Sequence, residues 1–187
     1  VASLTDLQDA ADAGEADYLA ALVKIEAYAD DSTADEPTAA DYSVAGVDLS
    51  GSPLSEAKMV TATNDLLANT DIVGTDVDTT SDVQAVVDTY SKILNAADDP
   101  NGTLSLDEND YALLGLDDSM TSETASLLSD TLPGKTVSDL NSAEELEALA
   151  STAARVTGTA GSTSADPPLT AAELSALGVA GVTENNL

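Results

Sequence analysis

Two short helix-start signatures alternate along the chain, each occurring three times. The first reads Thr5-Asp6-Leu7-Gln8, then Ser81-Asp82-Val83-Gln84, then Ser138-Asp139-Leu140-Asn141. The second reads Asp41-Tyr42 with Gly46-Val47, then Asp110-Tyr111 with Gly115-Leu116, then Glu173-Leu174 with Gly178-Val179. A fixed order of two signatures means one supersecondary unit repeated along the chain. It directs attention to a mechanical or binding role rather than to catalysis.

The second signature opens what is taken as the first helix of the unit. Each copy begins with a capping box: Thr38-x-x-Asp41, Asp107-x-x-Asp110 and Thr170-x-x-Glu173. The cap oxygen accepts a backbone N–H, and the acid three residues on accepts one in return. The glycine then supplies the left-handed residue that stops the helix after about two turns. A second helix is expected from Ser52-Pro53 through Met59 to Leu66 and Leu67, with proline at its first position. Its equivalent runs from about Thr121 to Asp130 and closes at Pro133-Gly134, and Thr183 to Leu187 begins a third copy.

The first signature opens the third helix. Val83, Val86, Val87, Tyr90, Ile93 and Leu94 share one stripe at three- and four-residue spacing, as do Leu140, Ala143, Leu146, Leu149, Ala150 and Ala153. The copy from Leu4 to about Tyr28 carries roughly two extra turns around Gly14. Lys24, Lys92 and Arg155 fall in the closing part of this helix, where a cation suits the negative end of the dipole.

The fold class expected is all-α: tandem small three-helix bundles joined by acidic linkers. Residues 1–30 form the third helix of a partial unit, 37–100 and 103–160 are three-helix units, and 168–187 hold a first helix and the start of a second. The joints at 29–37, 97–104 and 157–168, rich in Asp, Gly, Ser, Thr and Pro, read as linkers. The incomplete units at both ends read either as a segment of a longer array or as halves that neighbouring chains complete head to tail, which would propagate a filament.

Composition narrows the function. With 35 acidic residues against 5 basic, the formal charge of −30 argues against nucleic acid and anionic membrane surfaces as partners. Salt or divalent ions would screen the self-repulsion, which suits an extracellular, marine or halophilic setting. With no cysteine or histidine there is neither a thiol nucleophile nor an imidazole base, and the few lysines stand outside any Ser-x-x-Lys context. The chain therefore reads as no enzyme. It has no 18-residue apolar run and no basic segment at its start, so neither a membrane span nor a signal peptide is expected in this stretch.

The strings Ile25-Glu26-Ala27-Tyr28-Ala29-Asp30, Thr38-Ala39-Ala40-Asp41-Tyr42 and Leu169-Thr170-Ala171-Ala172-Glu173-Leu174 resemble the alanine- and aspartate-rich three-helix repeat of giant secreted bacterial surface proteins and adhesins. Gly178 to Leu187 looks like that repeat's junction between first and second helices. The resemblance implies export, commonly by a type I route, and an array running from the cell surface to an adhesive tip. It implies neighbouring repeats or copies of the chain itself as partners, in a spacer, stalk or filament. The three-helix order is also similar to bacterial albumin-binding modules. Ser55 to Leu67 shows no unpaired apolar stripe, so albumin binding does not carry over.

Calcium is the one cofactor the residues suggest. Asp98 to Glu108 partly matches an EF-hand loop, with Gly102 at the turn, Asp99, Asn101 and Glu108 as ligands and Thr103 offering its carbonyl. The first ligand position holds Ala97, Asp98 is out of register by one, and Pro100 stiffens the loop. The competing reading is an acidic joint. Tyr42, Tyr111 and Tyr90 are taken as apolar packing, since Leu174 stands where Tyr42 and Tyr111 do. The function expected is a structural segment; the alternative is an adhesin module that binds a host or matrix ligand, stiffened by calcium.

Overall fold

A computed structural model describes residues 4–97, 99, 101–116, 120–159 and 168–185, with side chains from Gln8 onward. Asp98 and Pro100 of the acidic loop, residues 160–167 of the expected 157–168 linker, and Asn186 and Leu187 lie outside the described residues, as do the side chains of Thr5, Asp6 and Leu7. The protein is all-α, and no strand occurs among the described residues. Its helices are α1 (Leu4–Asp30), α2 (Ala39–Val44), α3 (Glu56–Leu67), α4 (Thr80–Ala96), α5 (Glu108–Ala112), α6 (Ser122–Thr131), α7 (Ala143–Thr159) and α8 (Ala171–Ala176). Three single 3₁₀ turns lie at Gly74–Asp76, Leu132–Gly134 and Val137–Asp139.

The chain divides into two compact units, Val1–Asp88 and Thr89–Leu187, and the division falls within α4. In the first, Leu22 and Ile25 of α1, Tyr42 of α2, Met59, Leu66 and Leu67 of α3, and Val83, Val86 and Val87 of α4 are buried. In the second, Tyr90, Ile93 and Leu94 of α4, Tyr111 of α5, Leu128 of α6, and Leu146 and Ala153 of α7 are fully buried. Cores built from Ala, Val and Leu let these slender helices approach closely. The expected stripe on α4 is therefore the buried one.

The start and stop chemistry of the short helices follows the sequence closely. Thr38, Asp107 and Thr170 each cap a helix and each closes a capping box, with Asp41, Asp110 and Glu173. Gly46, Gly115 and Gly178 take φ of 77°, 72° and 84°, the left-handed conformation that costs other residues about 1 kcal/mol or more. Thr121 caps α6, and the chain leaves it through the 3₁₀ turn Leu132–Gly134.

Three expectations are corrected. First, α3 begins at Glu56 after Ser55, not at Ser52-Pro53. Ser52 Oγ instead accepts from Leu54 N at 3.1 Å, so the proline sits in a side-chain-closed turn that its fixed φ suits equally well. Second, Ser138-Asp139 opens no α-helix. It lies in the Val137–Asp139 turn, where Thr136 N donates to Asp139 Oδ2 at 3.0 Å, and α7 starts only at Ala143. Its true counterpart is the Gly74–Asp76 turn, where Val73 N donates to Asp76 Oδ2 at 3.0 Å. Val77 and Leu140 close these turns with matching φ of −136° and −135°. The helix caps then correspond as Thr79 with Asp82, and Ser142 with Glu145. Leu140 thus leaves the α7 stripe, although it is buried. Third, no basic residue occupies the last turn of α1, α4 or α7, so Lys24, Lys92 and Arg155 do not cap helix ends.

Candidate functional site

The third correction exposes a device at the helix junctions. Lys24 of α1 reaches Asp41 of α2, Nζ to Oδ2 at 2.7 Å. That same Oδ2 accepts from Thr38 N at 2.8 Å and Thr38 Oγ1 at 2.7 Å. One carboxylate thus closes its own helix cap and binds the preceding long helix. In the second unit Arg155 of α7 pairs with Glu173 of α8, which accepts from Thr170 N at 2.7 Å and Thr170 Oγ1 at 2.8 Å. Arg155 also donates to Pro168 O at 3.4 Å. Between α4 and α5 the corresponding Lys92–Asp110 pair is not formed among the described residues.

Partial burial works against ionisation of Asp41, yet hydrogen bonds from Lys24 and Thr38 outweigh it and hold the carboxyl below its usual range. Its folded value lies under its unfolded one, so the stabilisation is complete above the unfolded value and disappears as pH falls through the folded one. Lys24→Met is expected to cost about 0.5 kcal/mol at neutral pH, the magnitude of a half-exposed pair. Urea titrations of both proteins across acidic pH should show that difference closing as Asp41 protonates.

A buried polar link lies behind α2 and a second behind α5. Tyr42 OH donates to Asn64 Oδ1 at 2.5 Å, and Asn64 Nδ2 donates to Glu36 Oε1 at 2.9 Å and Pro37 O at 2.8 Å. In the second unit Tyr111 OH lies 3.1 Å from Ser129 Oγ, which donates to Leu106 O at 3.3 Å and accepts from Leu106 N at 3.2 Å. Pro37 and Leu106 each stand one residue before a helix cap. Both links therefore tie the short helix, the following helix and the strap that enters the short helix. Burial pushes the Tyr111 hydroxyl up to about 12 against the Ser129 hydrogen bond, and burial also raises Tyr42, with help from Tyr28, Glu36 and Asp41. Burial, with Glu36 beside it, raises the neighbouring Asp65. These are neutral phenols fixed as hydrogen-bond donors.

The tyrosine hydroxyls consequently have partners that the sequence reading did not assign. Tyr90 is core, as expected, yet its hydroxyl also donates to Leu140 O at 2.5 Å. Asn64 and Ser129, polar yet buried on otherwise apolar helix faces, were the available sequence signal. The 29–37 joint falls inside the first unit, and its polar groups are engaged there: Asp30 Oδ1 accepts from Gly74 N at 2.7 Å. A Cβ on Gly74 would meet Glu26 Cγ at 2.7 Å and Asp30 Oδ2 at 2.8 Å, so a larger residue there would have to push both α1 side chains aside.

The acidic loop forms a tight turn. Asp99 O accepts from Gly102 N at 2.8 Å, and Asp99 Oδ1 from Asn101 N at 2.9 Å. A Cβ on Gly102 would meet Ala96 O and Asp99 O at 2.9 Å, which explains the glycine by close backbone approach. Asp99 and Asn101 are thus brought together, Thr103 is exposed, and Glu108 is the first residue of α5, placed there by the Asp107 cap. Among the described residues no group of three or more Asp or Glu side chains is arranged to hold a metal ion. No helix of the described residues is long and apolar enough to cross a membrane.

A groove of about 490 Å³ lies beside α2 and the start of α3, walled by Val47 and Leu49 and rimmed by Ser43, Asp48, Ser50 and Glu56. Compared with protein-family models, with curated proteins and with solved structures, the chain has no match.

Proposed function

We propose that this chain is a structural segment built of tandem three-helix units, serving as a spacer or stalk within a secreted bacterial surface protein. The observation that carries the reading is the junction. A cation of a long helix on a capping-box carboxylate, and a polar side chain joining a tyrosine to the entering strap, are each built twice from different residues. Repeating the way helices are joined, while changing the side chains that join them, is what a load-bearing array requires. The acidic surface keeps such an array soluble and extended.

Small-angle scattering of the chain and of a two-copy tandem tests this. The maximum dimension should rise nearly in proportion to copy number and shorten as salt screens the −30 charge. A tandem that collapses to a globular profile overturns the spacer reading. Regular fibres in electron micrographs of the chain would instead favour self-assembly, with copies docking head to tail.

The second reading is an adhesin module, favoured by the groove at α2 and α3 with its carboxylate and hydroxyl rim. Those oxygens suit a ligand that donates hydrogen bonds or brings a cation. Calcium at the 97–104 turn, through Asp99, Asn101, Thr103 and Glu108, belongs to either reading as a stiffener of the joint. A calcium titration that leaves the scattering profile and melting temperature unchanged removes it.

A further inference from the structure

Leu19 and Val23, one turn apart on α1, are 51% and 59% exposed, the two most exposed large apolar side chains among the described residues. Both interrupt an otherwise strongly anionic surface. The junction fixes what corresponds to them. Lys24 and Arg155 play one role, which sets Leu19 against Ala150 and Val23 against Ala154 of α7. Ala150 is 5% exposed and Ala154 is half-buried. On α4, taking Lys92 as the counterpart, the matching positions are Val87 and Ser91, both buried. The same helix face is thus covered in two copies and open in the third.

The covering element on α7 is identifiable. Helices α6 and α7 pack together, and Thr124 of α6 meets Thr157 of α7, Oγ1 to Oγ1 at 2.8 Å. Thr157 lies two turns beyond Ala150 on one face, so the Ala150 face is the one α6 covers. We propose that the Leu19–Val23 face of α1 is the seat of an α6-type helix from another copy of this repeat, packed along α1 as α6 packs along α7. Leu19 and Val23 are larger than the alanines they match, and they extend α1 toward such a helix where Ala150 and Ala154 permit closer approach. The inference rests on the repeat reading and names the partner of this face.

The absence of native cysteine makes Leu19→Cys a clean reporter. In the full chain its thiol should label at the rate of an exposed residue. A second protein places a further copy of residues 101–142 directly ahead of Asp12, the residue matching Ala143, so that an added α6 enters in the α7 register. Labelling there should slow by about tenfold or more, and Leu128→Asp in the added copy should restore the fast rate. Circular dichroism confirms that the added helices form. Equal labelling in the full and extended chains, with the added copy helical, overturns the proposal. The scattering test of the spacer reading is unaffected by that outcome, so the two can fail separately.

Discussion

Asn64→Leu is expected to lower the unfolding free energy by about 2–4 kcal/mol, although leucine fills nearly the same volume. The side chain is 1% exposed and satisfies three groups at once: the Tyr42 hydroxyl, the Glu36 carboxylate and the Pro37 carbonyl. Removing it leaves a buried phenol and a buried carbonyl without partners, and that desolvation cost exceeds the net value of the lost bonds. Tyr42→Phe in the same protein should recover about 1 kcal/mol, because it deletes one of the orphaned groups. The urea midpoint should fall without a change in slope. A loss under about 0.5 kcal/mol would show that Asn64 is a passenger in the core. Ser129→Ala should cost less, about 1–2 kcal/mol, since the smaller hydroxyl serves a single strap residue beside Tyr111.

The sequence disclosed local chemistry well and long-range pairing poorly. A capping box is written within four residues and a helix-ending glycine within one, so Thr38, Asp107, Thr170, Gly46, Gly115 and Gly178 were all legible. Ser138-Asp139 misled for the same reason. A cap residue followed three positions later by an acid serves a 3₁₀ turn as well as an α-helix, and Thr136 with Asp139 uses it so. Grouping Lys92 with Arg155 held the correct phase, whereas the signature set Val83 against Leu140, and the matching turns and caps place Leu146 there instead. The tyrosines failed differently. Leu174 at the third position suggested a purely apolar site, whereas the partner of Tyr42 lies a whole helix away at Asn64. A hydroxyl's partner belongs to packing, and packing across helices has no local signature. The junction itself, the part of the candidate site that most bears on function, needed both kinds of information.

Tyr90→Ala should be the most damaging single truncation in the second unit, with an expected loss of about 3–5 kcal/mol. Tyr90 is fully buried on α4, among the largest side chains of the core, and its hydroxyl reaches 2.5 Å from Leu140 O. That carbonyl ends the Val137–Asp139 turn just before α7, so one side chain both fills the core and fixes where the last long helix begins. The two contributions separate by substitution. Tyr90→Phe keeps the ring and removes only the bond, so about 1 kcal/mol should be lost, with the Leu140 carbonyl left to find water or go unpaired. The hydroxyl's effect should appear locally as faster amide exchange at Leu140 and Asn141, whose neighbourhood the bond restrains. If Phe cost as much as Ala, the bond rather than the ring would dominate and the cavity account would be wrong. If Phe cost nothing and left exchange unchanged, the α7 start would owe its position to the Ser142–Glu145 cap alone.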